Sequence, residues 1–183
     1  MVRRSVVTLA ALALALPAAA YGQADTISVR GSSEGFGRVL AIGDFKPTRN
    51  PTYAAAIRAY GEPGSQRSRS GGSACVVNWP RLGVRIVFAN FGVGSACQRN
   101  RGRAQSARAY GDDWRTKRGL GVGARPSRLR ALYPGARRHG RSWWLVTGVS
   151  LFGASRERYP VLAATVRDRR VRSFTLKIFA AGD

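Results

Sequence analysis

Apolar and polar residues alternate with a period of two along two long stretches of the chain. Cys75, Val77 and Trp79, then Val84, Ile86 and Phe88, flank Pro80-Arg81-Leu82 and predict an antiparallel hairpin over residues 74–91 with one buried face. Tyr159 to Arg167 and Val171 to Phe179 predict a second hairpin across Asp168-Arg169-Arg170, with Phe174, Leu176 and Ile178 facing one way and Ser173, Thr175 and Lys177 the other. A spacing of three and four residues also appears twice. Tyr53, Ala56, Ile57 and Tyr60 form one apolar stripe behind a cap at Asn50 and Pro51 at the first helical position, stopped by Gly61 and Pro63. Leu129, Leu132 and Tyr133 form another in a helix that starts at Pro126 or Ser127 and stops at Pro134-Gly135. Helices this short hold in water only by packing a stripe against something larger.

Weaker signals fill the intervals. Ile27 to Arg30 and Arg38 to Ile42 read as short strands around a Gly- and Ser-rich connection, and Ser142 to Thr147 as a strand bearing Trp143 and Trp144. Gln66 to Ser73 reads as a polar surface loop. Arg99 to Arg108 reads as a basic loop, with Ala107 to Tyr110 a short strand at its end. The order turn, helix, strands occurs twice. The expected fold class is therefore α+β: two short helix plus antiparallel sheet units in tandem, over residues 23–111 and 112–183, behind a leader over residues 1–22.

Leu40-Ala41-Ile42-Gly43 and Leu120-Gly121-Val122-Gly123 introduce the two helical segments, and each helix is followed by a Trp-bearing strand and a long hydrophobic one. This arrangement, over about residues 39 to 179, resembles the bacterial β-lactamase inhibitory proteins and the related domain of a small outer-membrane-assembly lipoprotein. The resemblance implies a concave sheet used for protein binding. It carries over no functional residue, and the chain departs from the inhibitors in having a single cysteine pair and a strongly basic surface.

The leader has its own chemistry. Arg3 and Arg4 precede an apolar run from Ser5 to Ala20 that ends in small residues, the pattern of a secretory signal peptide. At about 16 residues the run falls short of the roughly 20 that span a bilayer. No cysteine stands there to accept a lipid, so the mature protein is expected free of a membrane span or lipid tether and secreted or extracytoplasmic. In that oxidising compartment Cys75 and Cys97 are expected to pair. A zinc site is a poor alternative, because His139 is the chain's single histidine and lies far from both thiols.

Charge adds the main functional hint. The chain carries 31 Lys and Arg against 9 Asp and Glu, a formal +22, while its 44% hydrophobic content excludes disorder throughout. Only Lys46, Lys117 and Lys177 are lysines, so a GC-rich coding bias explains part of the excess. Residues 99–141 concentrate it, with 13 basic side chains against Asp112 and Asp113. Arg99, Arg101, Arg103, Arg115, Lys117, Arg118, Arg137, Arg138 and Arg141 are the candidate anion-binding residues, since cations here, guanidinium above all, suit phosphate and carboxylate. Trp143 and Trp144 are adjacent, so a regular strand aims them at opposite faces. One of them leaves the main core, to contact a ligand or to pack beneath a loop.

Other chemistry lacks its residues. Gly119, Gly121 and Gly123 form a turn without the Gly-Lys-Ser/Thr of a phosphate loop, and no Gly-x-Ser-x-Gly elbow occurs. Nothing points to a cofactor or a metal. The expected function is a secreted non-enzymatic binding protein that recognises a protein or an anionic cell-envelope polymer through a basic surface. Nucleic acid is disfavoured by compartment and by the lack of a base-reading motif. Two alternatives stand beside it. One is an exported hydrolase whose cleft unites two of Asp44, Glu62, Asp112, Asp113 and Glu157; the other is a structural domain without a ligand.

Overall fold

The computed structural model describes residues 26–30, 39–150 and 157–178. The expected leader, the connection over residues 31–37 and Phe179 lie outside the described residues. In chain order the elements are β1 (Thr26–Arg30), β2 (Val39–Ile42), α1 (Tyr53–Tyr60), β3 (Ser65–Arg69), β4 (Ala74–Trp79), β5 (Val84–Ala89), β6 (Arg103–Ala109), β7 (Arg115–Thr116), α2 (Pro126–Leu132), β8 (Arg137–His139), β9 (Ser142–Ser150), β10 (Glu157–Arg167) and β11 (Arg170–Lys177). Eight strands form one antiparallel sheet in the order β3-β4-β5-β6-β11-β10-β9-β8, and a smaller sheet has the order β2-β1-β7.

The protein is thus mostly β, and the expected α+β tandem of helix and sheet units is corrected. The helices are 8 and 7 residues long, and the two expected sheets are joined by a ladder between β6 and β11. The error has a physical origin in β6. Its first residues read as a basic loop and only Ala107 to Tyr110 as a short strand, yet Ala104, Ala107 and Ala109 are all buried and its arginines exposed. Alanine carries little hydrophobic signal but lets a strand lie close to bulky neighbours: Ala109 pairs with Phe174 and Ala107 with Leu176. The expected loop over Gln66 to Ser73 is likewise in part β3, an edge strand exposed along its whole length.

The first predicted hairpin forms with the expected buried face; the second forms across Asp168-Arg169 with Phe174 and Leu176 buried, but Ser173, expected on the polar face, is buried as well. Val77 pairs with Ile86 and Cys75 with Phe88, all four buried. α1 lies on this face through aromatic contacts. Tyr53 meets Phe88 at 5.1 Å between centroids and Tyr60 meets Trp79 edge-on at 5.3 Å. Tyr60 donates to the Ile42 carbonyl at 2.6 Å; burial, reinforced by the Asp44 charge, pushes its phenol far above the ordinary range, so it remains a donor. The α1 N-cap is Thr52, not Asn50: the Thr52 hydroxyl accepts from the Ala55 amide at 3.2 Å, while Asn50 accepts from the Thr52 hydroxyl at 2.7 Å and holds it in place.

Two fastenings close the core. Cys75 and Cys97 form the expected disulfide, tying the core face of β4 to the loop that follows β5. The turn after β4 is pressed against the chain after β6: Trp114, fully buried, donates from Nε1 to the Leu82 carbonyl at 2.6 Å, and the Tyr110 amide donates to the Gly83 carbonyl at 2.7 Å. Gly83 has φ +60° there, and a Cβ would stand 2.3 Å from the Gly111 nitrogen.

Gly83→Ala combines a left-handed alanine with a backbone clash, and denaturant titration is expected to find it destabilised by about 3 kcal/mol or more. Replacing both cysteines by alanine is expected to remove about 3 kcal/mol by the same measurement, with the native circular dichroism retained.

Candidate anion-binding cleft

The β8–β9 turn and the β10–β11 turn lie side by side because β9 and β10 pair through Ser142 and Thr165, and the Val166 amide donates to the Arg141 carbonyl at 2.8 Å. Gly123 and Ala124, just before α2, exchange backbone hydrogen bonds with Val171, which brings the start of α2 beside the second turn. A cleft of about 670 Å³ opens between the three, lined by Pro126 and Arg130 of α2, by Arg138, Gly140, Arg141 and Trp143, and by the turn from Val166 to Arg169.

Five arginines therefore line one space: Arg130, Arg138, Arg141, Arg167 and Arg169. The single carboxylate in the lining, Asp168, accepts from Arg172 at 3.0 Å. Trp143 and Val166 supply apolar wall. Arg138 is partly positioned already, its Nε donating to the Gly140 carbonyl at 3.0 Å. Uncompensated positive charge in a concave site focuses the field on an incoming anion, and planar guanidinium offers it paired donors.

The turn that presents Arg167 and Arg169 is strained. Asp168 and Arg169 both have positive φ, 50° and 53°. A two-residue hairpin of this shape favours Asn-Gly, and arginine in the second place is unfavourable.

The sequence candidates divide by position. Arg138, Arg141 and Trp143 meet in the cleft. Arg137 lies on β8 opposite Trp144, which leaves the core face and stacks on His139 at 3.8 Å between centroids. Arg118 serves the fold, since its Nη1 donates to the Leu132 carbonyl at the end of α2 at 3.1 Å and its guanidinium lies over the Tyr133 ring. Burial raises the Tyr133 phenol, opposed by a Thr116 hydrogen bond and the Arg118 charge. Arg99 is paired with Glu62 at 2.7 Å, and Arg101 donates to the Val93 carbonyl. Arg103 is exposed at the start of β6, and Arg115 and Lys117 are exposed around β7, so these three stand apart from the cleft. Arg130, Arg167 and Arg169 were not among the candidates. Arg167 and Arg169 belong to the run Arg167-Asp168-Arg169-Arg170, legible as a turn, but the strand order that sets it beside Arg141 is not a local property of the sequence.

No family model matches the chain, and no curated protein matches it. Among solved structures it is similar to an extracellular protein containing a SCP domain from Bacillus anthracis str. Ames, with 9% identity and a TM-score of 0.38 over 69% of this chain and 42% of that one. The chain thus spans less than half the length of that protein, and a likeness so distant carries no argument about activity.

Arg169→Gly relieves the left-handed strain and is expected to raise stability by about 0.5–1 kcal/mol in denaturant titration.

Proposed function

We propose that the protein works outside the cytoplasm as a non-enzymatic binding protein for a polyanionic polymer of the cell envelope, whose phosphate or carboxylate groups enter the arginine cleft. One observation carries this reading: five arginines from α2 and two separate turns converge on one cleft whose only carboxylate is already paired. Coding bias accounts for many scattered arginines, but not for their convergence. The strained turn adds weight, because a residue unsuited to its backbone conformation stands where it lines the cleft. The Trp143 wall offers a flat surface to the uncharged part of a repeating unit. The disulfide supports an oxidising compartment.

An exported hydrolase would place two carboxylates about one bond. Asp44, Glu62, Asp112, Asp113 and Glu157 are all absent from the cleft lining, and Glu62 is engaged with Arg99.

Inorganic polyphosphate and polyglutamate serve as probes, read by calorimetry. Binding is expected to weaken steeply between roughly 50 and 200 mM salt, as counterion release requires. Replacing Arg138 and Arg141 together by alanine is expected to lower affinity about tenfold or more. Arg169→Gly is expected to lower affinity although it stabilises the fold. Salt-independent binding, or affinity unchanged in both variants, overturns the reading.

A further inference from the structure

The loop between β5 and β6 displays two large apolar side chains, Phe91 at 86% and Val93 at 88% exposed. Such exposure in a slack loop has little meaning, but this loop is fastened along its length. Asn90 accepts from the Gly92 amide at 3.1 Å and donates to the Val93 and Gly94 carbonyls at 3.3 and 2.9 Å. The Arg101 guanidinium also donates to the Val93 carbonyl. At the two roots, the Asn90 amide donates to Ser73 and the Ala96 amide to Gly72, and the disulfide holds Cys97 to β4. The apolar tip is therefore presented before any partner arrives.

Its surroundings specify the partner. The 49 residues from 63 to 111 contain eight arginines and no acidic residue; Arg81, Arg85 and Arg108 among them lie toward the opposite end of the strands. Register places Arg69, Ala74, Ala89 and Arg103 in one row across β3, β4, β5 and β6 at the root of the loop, with Arg101 against it. The nearest carboxylate in sequence before this stretch, Glu62, is engaged with Arg99. An apolar tip inside a cationic collar complements the interface of an anionic bilayer, where aromatic and aliphatic side chains pass the headgroups and arginines remain at the phosphates. The internal hydrogen bonds of the loop help here, because the Gly92 amide and the Val93 and Gly94 carbonyls are already partnered as they leave water. Among the described residues no helix is long and apolar enough to cross a membrane, so attachment through this loop is interfacial.

We infer that residues 90–94 form a preformed membrane-insertion tip that docks the protein on anionic lipid through Phe91 and Val93. The inference stands independently of the cleft reading. β11 runs from Arg170, beside the cleft, to Lys177, which pairs with Ser106 toward the start of β6, so tip and cleft lie at opposite ends of the strands.

The test uses the disulfide-bonded chain without residues 1–22, which carry none of the described fold, and vesicles of phosphatidylglycerol or of phosphatidylcholine. Co-sedimentation is expected with the anionic vesicles and to fall at least tenfold in Phe91→Ser/Val93→Ser, whose thermal unfolding and polyphosphate affinity stay as in the parent. Phe91→Trp is expected to gain a blue-shifted emission with those vesicles, quenched by lipids brominated in the acyl chain. Replacing Arg138 and Arg141 by alanine is expected to leave the partition within about twofold. Equal partition of the double-serine variant, unquenched emission from Phe91→Trp, or an apolar tip that instead makes the chain self-associate without vesicles overturns the inference.

Discussion

The pairing of β6 with β11 is the constraint on which the architecture depends. Each strand closes one four-stranded meander, and their shared ladder turns two small sheets with vulnerable edges into one sheet of eight. The seam works because its two sides differ in size: alanines on β6 stand opposite phenylalanine and leucine on β11, with all of them buried. A bulkier β6 would force these side chains apart, and a polar one would bury groups without partners. The same alanine-rich pattern that hides β6 from hydrophobic periodicity is what lets it occupy the middle of the sheet.

The remaining outer edges, β3 and β8, carry a different solution. β3 is exposed throughout and bears Arg67 and Arg69; β8 is three residues long and bears Arg137 and Arg138. Charge and brevity both deter a second chain from extending the sheet. Some of the positive charge thus keeps the edges apart. More is engaged in fastening the surface, where Arg118 closes α2, Arg170 donates to the Gly123 carbonyl and Arg99 pairs with Glu62. Beyond these roles, five arginines line the cleft and Arg69, Arg101 and Arg103 stand at the root of the 90–94 loop.

What the sequence made legible follows from the range of the interactions concerned. Alternation of Cys75, Val77 and Trp79 against Val84, Ile86 and Phe88 is local and sufficient, as are the α1 stripe and the hairpin at Asp168-Arg169. The cysteine pair followed from the number of thiols. β3 and β8 leave no local pattern because an edge strand need not alternate, and the first half of β6 leaves none because alanine is nearly silent. The seam joins residues 109 and 174, far beyond any window of local pattern, and with it went the fold class. In the cleft, Arg138, Arg141 and Trp143 could be named from charge density and the adjacent tryptophans. Arg130, Arg167 and Arg169 join them only through the order of strands.

The seam also imposes an order of events on the nascent chain. A polypeptide emerging from its N-terminus can assemble β3 to β6 early, but the outer edge of β6 stays open until β11, the last strand, has been delivered. Contacts so distant in sequence form slowly, and an open ladder is a template for a neighbouring chain. Throughout that interval the half-built sheet has its arginines as its chief defence against aggregation, so a basic composition protects the newborn molecule before any ligand is met.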